Sequence, residues 1–355
     1  MTRVLIAGAG VAAVECVLAL RDLAGSAVEI ELLAPAGELV YRPASVVTPF
    51  GADAAPRIDL SGLDVAHRHD ALAEVSPATH EVLTRDGDRV PYDRLMIATG
   101  AHSRDAVTGA VTFRGPLSAG AMERVLARAT ADPELRVAFA APAGATWPLP
   151  LYELALLSAA ALRERGVDDP DLTVVTAEAR PLAALGSEAS DAVLAALDGA
   201  GIDVVAGAGA DAAVEGALRL HDGRVVGADV VVALPVVVGP RIPGLPHDAD
   251  GFLEIDEHGR VRGCDDVFAA GDATACPVKH GSLAAAQADA VAETIAGVAD
   301  PAPVRPLLQG MLLTGADPLY IRAELGGAAT VTAEPLWSPP AKIVGRYLTP
   351  FLAAV

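Results

Sequence analysis

Val267-Phe268-Ala269-Ala270-Gly271-Asp272-Ala273-Thr274, and soon after it Pro277-Val278-Lys279-His280-Gly281, decide how this chain is read. A short apolar run ending in Gly-Asp reads as a buried strand that delivers an acidic turn. The small-residue run Ser282-Leu283-Ala284-Ala285-Ala286-Gln287-Ala288 then reads as a helix. The other end of the chain repeats the theme. Val4-Leu5-Ile6-Ala7 runs into Gly8-Ala9-Gly10-Val11-Ala12-Ala13, which predicts a strand over 3–8, a glycine turn, a helix over 11–24 and a second parallel strand over 28–33. Glycine lets the backbone approach a pyrophosphate closely, and the first N–H groups of a helix face anionic oxygens.

Two distant segments with this chemistry suit one dinucleotide held from both ends, with Asp272 accepting from a sugar-like hydroxyl chain; the combination points to FAD. A third segment lies between them, Val90-Pro91-Tyr92-Asp93-Arg94-Leu95-Met96-Ile97-Ala98-Thr99-Gly100-Ala101. In order and spacing the three resemble the flavoprotein superfamily of pyridine-nucleotide-disulfide oxidoreductases. The pattern is that of the branch holding sulfide:quinone oxidoreductase, flavocytochrome c sulfide dehydrogenase and type II NADH dehydrogenase. The resemblance implies an α/β fold of two Rossmann-like dinucleotide-binding domains, the second inserted in the first, plus a C-terminal extension. The expected bounds are 1–108 with 244–305 for the FAD domain, 109–243 for the NAD(P)-binding-like domain and 306–355 for the extension.

The same resemblance assigns the site. Gly8, Gly10, Ala13, Ala98, Thr99, Gly100, Gly271, Asp272, Lys279 and Gly281 are expected to hold FAD, with Leu72 beside them. Tyr41-Arg42-Pro43 takes the position of the loop beside the isoalloxazine, where Arg42 is either a flavin contact or a surface arginine and Pro43 lines the ring. Lys279 and His280 precede a helix whose N-terminus points at the flavin, so Lys279 would favour reduced-flavin charge and His280 would move a proton or simply support the loop. Cys276 lies near the Gly-Asp motif, could approach the flavin and completes the catalytic candidates. One element departs from the pattern. The second strand should end in an acid for the adenosine ribose, yet it ends Leu33-Ala34-Pro35-Ala36, with Glu31 before and Glu38 after.

Composition bounds the alternatives. With 355 residues, 52% of them hydrophobic, the chain can bury the cores of two or three domains. A net charge of −20 excludes broad contact with nucleic-acid phosphates and disfavours anionic lipid. Lysine occurs only at 279 and 342, against 24 arginines, which reads as a high-GC, bacterial codon bias. Cys16, Cys264 and Cys276 form no local dithiol and no metal-ligand spacing, so a reducing, cytoplasmic setting and no metal are expected. No apolar run of about 18 residues predicts a spanning helix. The run over 225–238 reads as buried strand.

The inserted domain lacks its own glycine loop. Where a nicotinamide dinucleotide would sit, the chain reads Ala141-Pro142-Ala143-Gly144-Ala145-Thr146-Trp147-Pro148-Leu149-Pro150, and Glu178 is either a ribose acid or a solvated turn. The expectation is an FAD-dependent oxidoreductase passing electrons from a small-molecule donor to a quinone-like or other acceptor. The alternatives are an NAD(P)H:quinone oxidoreductase and, in another class, a non-enzymatic flavin-binding redox sensor. The tail from Trp337 to Phe351 joins aromatics to two cations; it would shape the acceptor site, pack on the protein or form a homodimer contact, and peripheral membrane contact stays open.

Overall fold

The computed structural model describes residues 1–51 and 57–354. Its helices are α1 (Val11–Ala24), α2 (Ala119–Ala131), α3 (Leu149–Glu164), α4 (Ser187–Gly199), α5 (Gly281–Ala296) and α6 (Leu348–Ala354). The first strand, β1 (Thr2–Ala7), leads through the glycine turn into α1 and then β2 (Val28–Leu33). These two strands belong to a parallel sheet in the order Val267–Ala269, Arg94–Ile97, β1, β2, Ala66–Arg68. Leu5, Ile6, Ala7, Leu95, Met96 and Phe268 are buried, as continuous apolar strands covered on both faces should be. The pairing aligns Ala7 with Ile97, and Ile97 with Ala269. The residues that follow these three strands therefore leave the sheet side by side.

A second parallel sheet runs Val111–Thr112, Val230–Ala233, Val137–Ala140, Leu172–Val175, Ile202–Val205. Alternation sorts its side chains: Val137 and Phe139 join the core with α2, α3 and α4, while Ala138 and Ala140 pack toward an antiparallel hairpin sheet over residues 210–227. His102–Arg104 and Val236–Val238 pair antiparallel as the chain passes between the two parallel sheets.

The stretch 225–238 is not one strand. Val225–Gly227 belongs to the hairpin sheet, Val230–Ala233 sits inside the second parallel sheet and Val236–Val238 pairs with His102–Arg104. Gly227-Ala228-Asp229 turns the chain, fixed by Asp229 accepting from the Arg136 guanidinium at 2.7 and 3.0 Å, and Pro235 breaks it again. Only Val230–Ala233 is buried; Val225 is exposed and Val236–Val238 half-buried, so the expected buried strand holds for the middle segment alone.

The C-terminal region holds a three-stranded antiparallel sheet, Leu307–Leu312, Leu319–Glu324 and Ala329–Thr332. Leu308, Leu312 and Ile321 close over the core that contains α3. The chain then crosses back. The Ile343 amide donates to the Tyr41 hydroxyl at 3.1 Å, and the Tyr347 and Leu348 amides donate to the buried Glu15 carboxylate on α1 at 2.9 and 2.6 Å. Glu15 faces Asp289 of α5, and burial with Glu15's charge pushes the Asp289 carboxyl up to about 8. A carboxyl pair in apolar surroundings holds one proton more readily than two charges.

Candidate functional site

Three turns meet at the C-terminal edge of the first sheet, where ligands of open α/β sheets bind. Gly8 takes φ +125°, and a Cβ there would lie 2.2 Å from the Ala98 carbonyl oxygen, so the first turn passes directly against the Ala98-Thr99 backbone. Its amide donates to Leu33 at 2.9 Å, and the Ala98 amide donates to Ala7 at 2.8 Å. Gly10 caps α1 without a side-chain partner, and a Cβ built on it meets nothing within 4 Å. Gly100, at φ +73°, is equally open. Two bare backbone faces beside an uncapped helix N-terminus have the open N–H geometry that suits anionic oxygens. Ala13 is buried one turn into α1.

The Gly271 turn completes the arrangement. At φ +76° it sits between Ala12 of α1 and Ala284 of α5, whose Cβ atoms would lie 3.4 and 3.5 Å from an added one. Gln287 locks it: its Oε1 accepts from the Gly271 amide at 2.7 Å, and its Nε2 donates to Thr274 Oγ1 at 3.3 Å. Gln287 stood in the sequence as one polar residue of an alanine run, which was its only signal.

Charge gathers around the turn. Burial raises the Asp272 carboxyl, and the opposing charges of Lys279 and Arg42 pull it back, so these three candidates face one another. The Lys279 ammonium donates to the Thr274 carbonyl and lies 3.7 Å from the centroid of Phe252, with burial lowering its pKa and Asp272 raising it. Arg42 and Pro43 open a 3₁₀ segment, Arg42–Phe50, with Arg42 exposed. Leu72 is half-buried and pairs with Thr84 in a hairpin sheet.

His280 is buried and caps α5. Its Nδ1 accepts from the Ser282 amide at 3.2 Å, with Ser282 Oγ 2.7 Å away, and Trp147 stands edge-on at 4.7 Å between ring centroids. Burial first, then Lys342, hold the imidazole down to about 3, so it is neutral at ordinary pH. Gly281 starts α5 where Ile343 of the tail presses: a Cβ there would lie 2.5 Å from Ile343 Cγ2. Both lysines of the chain thus act at the start of α5, Lys279 from within the site and Lys342 through its charge on His280.

Cys16 is buried in the α1 core, Cys264 is buried under the first sheet and Cys276 is half-buried; all three are free thiols. In the second parallel sheet, the loop after Val137–Ala140 turns through Pro142 and Trp147 into α3. Glu178 follows the neighbouring strand, with Tyr152 donating to its Oε2 at 2.6 Å.

The chain and its fold have similar counterparts among known proteins. Residues 154–290 match the family model described as pyridine nucleotide-disulphide oxidoreductase. The fold superposes on the sulfide:quinone oxidoreductase of the hyperthermophilic bacterium Aquifex aeolicus with a TM-score of 0.84, at 20% identity, covering 94% of this chain and 87% of that one. A ferredoxin reductase from Rhodopseudomonas palustris gives 0.68 at 23% identity, covering 90% and 82%. An NAD-dependent persulfide reductase from A. fulgidus gives 0.63 at 20% identity, covering 91% and 64%. No helix among the described residues is long and apolar enough to cross a membrane. Residues 154–290 thus match the pyridine nucleotide-disulphide oxidoreductase family, and the chain as a whole shares the fold, with its paired parallel sheets, of these oxidoreductases.

Proposed function

We propose that this enzyme passes electrons through FAD from a donor other than NAD(P)H to a quinone-like acceptor. The observation that carries the reading is the loop at 142–150. Its prolines restrict the backbone, and Trp147 fills the ground beside His280 where a dinucleotide loop would need bare glycine. Bound FAD supplies the electron-carrying ring; the chain's own residues orient it and set the charge around it. Gly8, Gly10, Gly100 and Gly271 hold the phosphates and ribityl chain against backbone, and Asp272 accepts from a hydroxyl. Lys279 supplies positive charge close to Asp272. His280 serves as a neutral, hydrogen-bonded support for the α5 N-terminus rather than a group that changes charge near neutral pH. Cys276, half-buried and within electrostatic reach of Lys279, is the thiol we assign to meet a donor. Sulfide oxidation through an intramolecular disulfide is disfavoured, because Cys16 and Cys264 are buried in separate cores. The unpaired thiols suit a cytoplasmic setting.

The test is anaerobic: the purified holoprotein is mixed in turn with NADH, NADPH, sulfide and small thiols while flavin absorbance is followed. Neither nicotinamide should bleach the flavin at a catalytically useful rate. Fast bleaching by NADH would instead establish the NAD(P)H:quinone reading, and a flavin that no donor reduces would favour a redox sensor.

Asp272→Ala should lower FAD affinity about 10- to 150-fold, the loss of one charge-assisted hydrogen bond of about 1.5–3 kcal/mol. Equilibrium dialysis of FAD against the apoprotein measures it. Unchanged affinity would remove Asp272 from the site.

A further inference from the structure

A pocket of about 410 Å³ opens at the C-terminal ends of Val137–Ala140 and Leu172–Val175, bounded by Trp147, Pro148, Leu182, Leu185, Val278 and Glu178. Its place is that of a ligand crevice in a parallel α/β sheet, and its size suits a small organic molecule. Its chemistry does not suit a dinucleotide. No lysine or arginine lines it, the loop that would face a pyrophosphate presents Trp147 and Pro148 rather than a run of bare glycines, and Glu178, its one ionisable side chain, is tied to Tyr152 and the Leu182 amide.

Glu178 is instead built in as a fixed acceptor. Tyr152, itself fully buried, donates to Oε2 at 2.6 Å, and the Leu182 amide donates to the same oxygen at 3.1 Å. Leu182 reaches that position with φ +54°, a left-handed conformation that costs a leucine energy and is kept where the surroundings over-determine it. Burial raises the carboxyl, while the Tyr152 hydrogen bond opposes that rise. The rest of the wall is apolar, with the Trp147 indole between the pocket and His280. Val278, two residues before His280, joins the pocket to the segment that leads into the flavin-facing helix.

We infer that this pocket binds an uncharged, largely apolar aromatic molecule carrying one hydroxyl, a compound of the phenol class, whose O–H is donated to Glu178. The inference rests on the reading that the second domain does not take NAD(P)H, and it names what the domain takes in its place. An apolar wall rewards burial of a ring, and a single preorganised acceptor in that wall rejects the isostere that lacks the donor.

The holoprotein is titrated calorimetrically with 2-naphthol, with 2-methoxynaphthalene, which has no donor, and with NADH. Saturable binding of 2-naphthol is expected, at least about 10-fold tighter than the methyl ether. NADH should give no binding heat. Ala184→Trp, at the exposed rim, should abolish 2-naphthol binding while flavin absorbance and melting midpoint stay as in the parent. Glu178→Gln, which keeps the side chain's size, should bring 2-naphthol down to the affinity of its ether. Absence of 2-naphthol binding, equal affinities for the two naphthalenes, or binding undiminished by both substitutions would overturn the inference. If NADH alone binds and Ala184→Trp blocks it, the donor reading fails as well; if neither binds and NADH does not bleach the flavin, the inference fails by itself.

Discussion

Glu153→Ala should destabilise the protein by about 3–5 kcal/mol, more than any substitution of a surface charge. Glu153 is fully buried on α3, and its partner Lys342, 11% exposed, comes from the C-terminal tail. The Lys342 ammonium donates to Glu153 Oε1 and, at 3.3 Å, to the Met311 carbonyl, while the Leu313 amide donates to the same carboxylate oxygen at 3.0 Å. Burial raises the Glu153 carboxyl and the Lys342 charge opposes it. Removing the carboxylate leaves an ammonium and an amide in a dry site without their acceptor, which costs far more than the intact pair contributes over apolar residues. The melting midpoint should fall by about 4–7 °C, read by circular dichroism. The double variant Glu153→Leu/Lys342→Met is the control. It removes both charges, so it should recover most of the loss, leaving the Leu313 amide without its acceptor and the Met311 carbonyl without the lysine donor. A double variant as unstable as Glu153→Ala would show that the charge pair is not the cause.

That pair also fixes how the tail is regarded. Residues 341–348 touch α3 through Lys342, Tyr41 through Ile343 and α1 through Tyr347 and Leu348, so the segment ties both parallel-sheet units together. Deleting 336–355 would strip partners from two buried carboxylates, Glu15 and Glu153, and would test folding before it tested an acceptor site. The sequence marked Lys342 as unusual because lysine is so rare, but its partner lies 189 residues away. A contact of that range leaves no local pattern. The same holds for Tyr152 and Glu178, which read locally as helix and turn.

What was legible had a backbone reason. Gly8, Gly100 and Gly271 sit at positive φ, and the strands before them are apolar enough to be buried on both faces, so residue type alone marked strand, turn and helix. The three-stranded sheet over 307–332 was not legible, because its strands alternate only partly and its core partners belong to α3, α4 and α5. His280 was legible as a residue of the α5 entrance but not as a neutral one. Its charge state follows from burial beside Trp147 and Lys342, each more than 60 positions away in sequence.

Gly8→Ala and Gly10→Ala should separate folding from flavin binding, though both change one hydrogen to a methyl group. At Gly8 the new Cβ would lie 2.2 Å from the Ala98 oxygen and 2.6 Å from its carbon, backbone atoms that cannot swing aside as a side chain would. The φ of +125° is also closed to alanine. Relief requires β1 to part from Arg94–Ile97, strands paired through Ile6↔Met96 and Ala7↔Ile97 at the centre of the first sheet. A cost of about 3 kcal/mol or more is expected, with low soluble yield and no retained flavin. Gly10 sits at φ −85°, open to any residue, and its Cβ would meet no protein atom within 4 Å. The fold should accept alanine there with a change in stability within about 0.5 kcal/mol. The methyl group would nonetheless stand over the uncapped amides of α1, where a pyrophosphate must approach, so FAD affinity should fall by about 100-fold or more in an otherwise folded apoprotein. Melting curves of the apoproteins and FAD titrations read the two effects apart. If Gly10→Ala retained FAD as the parent does, the phosphates would have to lie elsewhere than the N-terminus of α1. If Gly8→Ala folded normally, the close pass of the first turn over Ala98 would not be what sets the glycine.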